Sequence, residues 1–381
     1  MRRTKVLLLL TLMLCVLVPI SGCHAATPDP AAQNALDAYV HAPDSSFQWK
    51  SVSSSNKMDV LSLTSQTWHG SAWKHKLTIV KPDHDEFPGT ALLLISFDDP
   101  SILNVLANGT GCMVIGLSDV PNQPLWDRSE DALIAYTFQQ FLETGDKTWP
   151  LLLPMTKSAT TAMDAVQEYS KTSDAPITKF IVGGASKRGW TTWLVAAEDK
   201  RVIGIVPMVY NNLNLPAQLP HQKEMLGDYS SQIGDYVKLD LPQQLTTPRG
   251  KGLVQIVDPY FYRDRITVPK LIIDGTNDPY WTVDSLNLFY NDLVGPKNTF
   301  YIPNAGHSMN LENGTSGPIY LLGTIQNWVR IVASGKTPRA VELDVNDAAD
   351  GKHFTASLPG ATAASLYVAK SATKDFRQST W

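Results

Sequence analysis

Six short runs constrain this chain more than any other feature. ALLLISF (Ala91–Phe97), CMVIGL (Cys112–Leu117), KFIVGG (Lys179–Gly184), IGIVPMV (Ile203–Val209), PKLIIDG (Pro269–Gly275) and TFYIPN (Thr299–Asn304) are short and mostly apolar. A strand with one solvated face alternates apolar and polar residues, whereas a run with no polar side has to be covered on both faces, as strands of a parallel sheet are.

What lies between and before the runs completes the pattern. VLSLTSQTW (Val60–Trp68) and WKHKLTIVKP (Trp73–Pro82) do alternate and predict a half-exposed antiparallel hairpin. Ser129–Thr144 opens with a Ser cap and an acidic first turn, as helices do. Lys157–Lys171 and Pro318–Val332 are further helical stretches. After Ser186, residues Trp190, Trp193, Leu194 and Ala197 recur at one-face helical spacing. An antiparallel pair followed by alternating strand and helix predicts an α/β-hydrolase fold over residues 35–335, with an eight-stranded, mostly parallel sheet. Asn211–Thr267 is too long for a plain loop and predicts a lid insertion. From Pro338, VELDVND, KHFTASLP and ASLYVAK read as short strands. Residues 338–381 are too few for a whole β-sandwich and are expected to be the start of a truncated C-terminal β-domain.

Phe180–Trp190 reads FIVGGASKRGW, a strand entering a small-residue corner and then a helix, with Ser186 at the corner. The usual nucleophile corner of the fold is Gly-x-Ser-x-Gly, because the sharp turn leaves no room for side chains beside strand and helix. Gly184 stands two before Ser186; Arg188 stands two after it, and Gly189 arrives one place late. Downstream, PKLIIDGTNDPYW is a strand, a glycine turn and Asp278, and FYIPNAGHSMN is a strand, a small-residue turn and His307. Ser, Asp, His is the fold's triad order, each at a strand's C-terminal end. The local readings stay open beside it: Ser186 as a turn residue, Asp278 as a turn cap, His307 as a loop histidine.

A hydroxyl needs a base, an orienting carboxylate and oxyanion donors before it attacks a carbonyl. His307 is the expected base, Asp278 the orienting acid, and the backbone N–H groups of Lys187 and of the Phe97 turn the oxyanion donors. In SFDDP the acids Asp98 and Asp99 follow that turn, an unfavourable place for carboxylates unless they face elsewhere. His69, His75 and His84 have no metal-ligand spacing and read as surface residues, so no metal is expected. Without a GxGxxG or GKS/T run, no cofactor is expected either.

Arg2, Arg3 and Lys5 precede the apolar run Val6–Ile20, which is short and followed by small residues: a secretory leader, not a membrane span. ISGC (Ile20–Cys23) resembles a bacterial lipobox. Residues 1–22 are then the signal peptide, Cys23 the lipidated first residue and 23–34 a tether; cleavage near Ala25 or Ala26 is the alternative. The expected location is the cell envelope, outer membrane or periplasm, with membrane contact only through the lipid. Cys112 is left alone, so there is no disulfide framework. The chain carries 32 basic and 36 acidic residues, a net charge of −4, and loses three of the basic ones with the leader. An acidic balance with no basic block argues against nucleic acid or anionic lipid as partner.

ALDAYVHAPDSSFQW, LTSQTW, VPNQPL, EDALIAYTF, GGASKRGWTTW, VDPYFYRDR, PKLIIDGTND and IPNAGHSMN together resemble the PhoPQ-activated pathogenicity-related protein family, over roughly Ala35–Val332. The final DFRQSTW resembles the start of its C-terminal β-domain. The resemblance implies an α/β-hydrolase fold, export, a link to virulence regulation, and catalytic positions Ser186, Asp278 and His307. The displaced glycine also resembles that of glucuronoyl esterases, more loosely, and the chain departs from the family in having SFDD where glycines are common. The substrate is expected to be a small molecule or peptide, with Tyr229, Tyr236, Tyr260, Phe261, Tyr262, Tyr280 and Trp281 suggesting an aromatic cleft. Esterase and peptidase share one triad and stay open as readings. So does a third, an exported binding or signalling protein on a silent hydrolase scaffold.

Overall fold

A computed structural model of the chain describes residues 30–309 and 317–381. The leader and Cys23 lie outside the described residues. Helix α1 (Pro30–Val40) leads into three antiparallel strands, β1 (Gln48–Ser54), β2 (Met58–Trp68) and β3 (Ser71–Val80). Strand β4 (Thr90–Ile95), helix α2 (Pro100–Thr110) and strand β5 (Met113–Leu117) follow, then helices α3 (Glu130–Thr144) and α4 (Leu152–Ser170). Next come β6 (Lys179–Ala185), α5 (Lys187–Glu198) and β7 (Val202–Met208). The long connection after β7 holds four helices, α6 (Leu215–Leu226), α7 (Gly234–Lys238), α8 (Leu241–Gln244) and α9 (Pro248–Val257). Strands β8 (Lys270–Gly275) and β9 (Lys297–Ile302) and helix α10 (Gly317–Ala333) complete the layered part.

One sheet takes up nine of these strands in the order β1-β2-β3-β5-β4-β6-β7-β8-β9, parallel from β5 to β9. This is the α/β-hydrolase arrangement with one strand more than the sequence pattern predicts. The extra strand is β1, QWKSVSS, exposed at almost every position and paired only with β2. A solvated edge strand has no burial to imprint on its sequence, so hydropathy does not reveal it.

The apolar runs behave as their composition requires. All six residues of β4 are buried. Leu93, Val182, Ile205 and Ile272 face a core closed by α3, α4 and α5, while Leu92, Ile181, Val206 and Ile273 face the opposite core under α2 and α10. Successive side chains point to opposite faces of a strand. A sheet clad by helices on both sides therefore needs apolar residues at odd and even positions alike.

Two local expectations need correction. His75 is not a surface residue: it is 4% exposed, hydrogen-bonded to Ser65 Oγ (2.9 Å) and to the Ser118 carbonyl (3.0 Å). Alternation along β3 puts it on the inner face with Trp73 and Leu77, and burial lowers its imidazole to about 4. Near the C-terminus, β10 (Glu342–Ala348) and β11 (Gly351–Ser357) form a hairpin that pairs only with itself, with every residue exposed. ASLYVAK forms no strand; Leu366, Tyr367 and Val368 are all exposed, with no neighbouring strand to pair with among the described residues.

Candidate active site

The corner after β6 is held in a conformation that side chains seldom adopt. Ser186 has φ 57° and ψ −126°, which costs on the order of 1–3 kcal/mol and persists only where surrounding contacts enforce it. Ser186 N–H donates to the Met208 carbonyl (2.8 Å), and its own carbonyl accepts from Trp190 N–H (3.0 Å). A β-carbon on Gly184 would lie 2.6 Å from the Arg188 carbonyl oxygen, and one on Gly189 2.8 Å from that of Met208. The late glycine is thus where α5 crosses β7, and position 188 is free to carry a side chain. The Arg188 guanidinium donates to the Val120 carbonyl (2.6 Å) and makes two bonds to Glu130 (2.8 and 2.9 Å).

The two other strand ends bring their residues to this corner. His307 Nε2 lies 2.8 Å from Ser186 Oγ, and His307 Nδ1 lies 2.7 Å from Asp278 Oδ2. With Nδ1–H donating to the carboxylate, Nε2 is left as the acceptor for the serine proton. Asp278 is 5% exposed and also accepts Tyr280 N–H at 2.8 Å. The Tyr280 ring packs on the imidazole, with centroids 4.1 Å apart.

The positions expected to supply oxyanion donors fall where the sheet register puts them. Lys187 opens α5, so its N–H has no intrahelical acceptor. Ile95 pairs with Gly184 as the last pair of the parallel β4–β6 register, and Phe97 lies two residues beyond it in the turn, its carbonyl oxygen 2.3 Å from where a β-carbon on Gly116 would stand. The two acids that follow are occupied elsewhere. Asp98 pairs with Lys76 (2.6 Å), and Asp99 caps α2 by accepting the N–H groups of Ser101 (2.8 Å) and Ile102 (3.3 Å).

Sequence reasoning missed an acidic pair. Ser129 makes no side-chain cap on α3; instead the first turn sends Glu130 and Asp131 toward the corner. The Lys187 ammonium, with its side chain 8% exposed, sits 2.7 Å from Glu130 and 3.5 Å from Asp131. Burial works against the Glu130 charge, but hydrogen bonds from Arg188 and Lys187 hold its carboxyl at about 2. Asp131 also accepts from the Tyr236 hydroxyl at 3.0 Å. The acidic first turn was legible; its partners, far along the chain, were not.

Ser186 opens onto a narrow slot of about 70 Å³. It is lined by Trp190, Tyr210, Tyr280 and Trp281, by Leu215, Leu219, Ile233, Tyr236, Leu241, Pro242 and Leu245 of the 211–267 insertion, and, as the one carboxylate among the described residues, by Asp131. Among the described residues, no group of three or more His, Cys, Asp or Glu side chains could hold a metal ion, and no helix is long and apolar enough to cross a membrane. Cys112 is buried and unpaired.

Known structures share this fold. Acetyl xylan esterase 1 from Thermoanaerobacterium sp. superposes with a TM-score of 0.54 at 17% identity, covering 80% of this chain and 95% of that one. An acetyl xylan esterase from a Paenibacillus species gives 0.53 at 14% identity, over 78% and 92%. In sequence, the chain is 36% identical over 312 residues to Autocrine proliferation repressor protein A of Dictyostelium discoideum; the match takes in 72% of this chain and 61% of that protein, so the chain spans less than two thirds of that relative's length. A family profile matches residues 36–377, and the chain belongs to the PhoPQ-activated pathogenicity-related protein family.

Proposed function

We propose that this protein is a serine hydrolase that transfers an acyl group from an ester or amide to Ser186 and then to water. The observation that carries this reading is the continuous bond path from Ser186 Oγ through His307 to Asp278, at 2.8 and 2.7 Å, at a strained strand-to-helix corner. His307 Nε2 takes the Ser186 proton as Oγ bonds to the carbonyl carbon, and returns it to the leaving alcohol or amine. Asp278 holds the tautomer and offsets the imidazolium charge. The Lys187 and Phe97 N–H groups meet the developing oxyanion. A second cycle, with water in place of the serine, releases the acid and restores Ser186.

The slot's aromatic and aliphatic walls favour a substrate with an apolar or aryl group beside the scissile bond. The 211–267 insertion acts as a lid, since seven of its apolar side chains, Pro242 and Leu245 among them, line the slot named above. The β10–β11 hairpin, which pairs with no strand of the main sheet among the described residues, supports reading residues 338–381 as a β-region apart from the hydrolase domain. Export and attachment through Cys23 rest on the leader and ISGC, and a part in virulence rests on the family's description alone. A lipid-bearing N-terminal peptide from the native host supports the anchor, and an N-terminus at Ala25 or Ala26 refutes it.

A serine-directed phosphonate should label the folded protein at Ser186, and Ser186→Ala or His307→Ala should abolish labelling. Loss of a triad member costs on the order of 10⁴-fold or more. Aryl esters set against aromatic and proline-containing peptide amides then separate esterase from peptidase. Folded protein that takes no label and turns over neither class would instead be a binding protein on this scaffold.

A further inference from the structure

The loops that carry Asp278 and His307 are closed into a ring by a segment distant in sequence. Asn277 immediately precedes Asp278, and its amide Nδ2 donates to the carbonyls of Ser379 (2.7 Å) and Arg377 (3.1 Å). Asn304 lies three residues before His307 and binds Trp381 at two points: Oδ1 accepts the Trp381 N–H (2.8 Å), and Nδ2 donates to the Trp381 carbonyl (3.0 Å). Thr276 completes the circuit. Its hydroxyl donates to Asn277 Oδ1 (2.7 Å) and accepts the Asn304 N–H (2.8 Å).

The bonded path therefore runs Thr276, Asn277, residues 377–381, Asn304 and back to Thr276. The segment is itself a folded turn. Arg377 pairs with Asp375 (2.6 Å), and the Phe376 and Trp381 rings pack 5.7 Å apart. The acid and base loops also cross closely beneath it, since Asn277 N–H donates to the Ala305 carbonyl (3.0 Å) and a β-carbon on Gly275 would lie 2.3 Å from that same oxygen.

We propose that residues 375–381 are a strap that positions His307 against Ser186, with Asn277 and Asn304 as its positioning residues; the inference rests on the hydrolase reading above. The physical reason is freedom at a loop end. His307 sits beyond the end of β9, where sheet hydrogen bonds no longer fix the backbone, and misplacing a base by about 1 Å costs about 10²-fold in rate. Asparagine suits both positions because each side chain has to donate and accept at once. Just before the strap, Lys374 pairs with Glu224 of the insertion (2.7 Å); both side chains are exposed and the pair contributes little hold.

The test uses the full-length chain with Asn277→Asp and Asn304→Asp, which keep size and acceptor but turn each amide donor into a second acceptor facing a carbonyl. Melting temperature identifies folded variants, and Asn304→Ser replaces any that fails. The phosphonate's saturating labelling rate should fall by about tenfold or more while its half-saturating concentration stays within about twofold. Lys374→Ala should label as wild type does. Hydrogen exchange of the amides at 302–309 should speed up in both Asp variants, whether or not Ser186 is reactive. Unchanged labelling in folded variants overturns the strap, as does a fall in rate matched by an equal rise in half-saturating concentration. Wild-type protein that takes no label refutes the hydrolase reading instead, and exchange alone then decides: faster exchange supports the strap and unchanged exchange overturns it.

Discussion

Replacing Gly189 by alanine tests why the corner's second glycine comes one residue late. The added β-carbon would lie 2.8 Å from the Met208 carbonyl oxygen, 3.0 Å from Tyr210 Cβ and 3.1 Å from the Gly184 carbonyl oxygen. Two of these three atoms are backbone atoms of β7 and β6, which no rotamer change moves, so α5 has to back away from the sheet. Overpacking of this kind costs about 1–3 kcal/mol. Alanine's better helix propensity returns about 1 kcal/mol, leaving a net loss of about 1 kcal/mol and a melting point lower by about 1–2 °C. Reactivity should suffer more. The same shift carries Ser186 Oγ and the Lys187 N–H away from His307, and displacement approaching 1 Å costs about 10²-fold. Phosphonate labelling followed by intact-mass spectrometry should therefore slow by about 10–100-fold beside a small change in melting. Gly184→Ala, with a β-carbon 2.6 Å from the Arg188 carbonyl oxygen, should be worse on both counts. Gly252→Ala in α9, with nothing within 4 Å, should gain about 0.5–1 kcal/mol and label normally. Gly189→Ala that melts and labels as wild type does would refute the packing argument.

Other expectations follow from single contacts. Because Asp98 is engaged with Lys76, Asp98→Asn should leave labelling of Ser186 unchanged, whereas Asp99→Ala removes the α2 cap and should cost about 1 kcal/mol in denaturant unfolding. Glu130 has its carboxyl lowered from 4.5 to about 2, and a depressed carboxylate adds stability above its unfolded pKa that is lost as pH falls through the folded one. The melting-point advantage of wild type over Glu130→Gln should accordingly be full near neutral pH and shrink between pH 4.5 and about 2; a difference that stays flat across that window would contradict the pairing. Burial pushes the Cys112 thiol up to about 12, so iodoacetamide should modify it only after unfolding, as read by mass spectrometry with and without denaturant.

Taken alone, the sequence determined the layering, four of the helices packed on the sheet though not α2, and the strand-end positions of Ser186, Asp278 and His307. These features are local: a run such as TALLLI shows burial on both faces because neighbouring residues point opposite ways, and GTND or NAGH shows a turn because glycine and asparagine favour one. His75, read as a surface residue, is buried because it alternates in step with Trp73 and Leu77. The tertiary structure alone decided which distant groups meet. That His307 reaches Ser186, that Glu130 binds Lys187 and Arg188, that Gly189 marks the crossing of α5 over β7, and that Asn277 and Asn304 close on residues 377–381 all depend on sheet order and helix crossings. The edge strand β1 belongs with these, because among the described strands it pairs with β2 alone and its mostly solvated side chains leave no periodic trace. Hydropathy records how deeply a residue is buried and how the chain turns beside it; the identity of a partner scores or hundreds of residues away is set only when the sheet assembles and brings the two faces together.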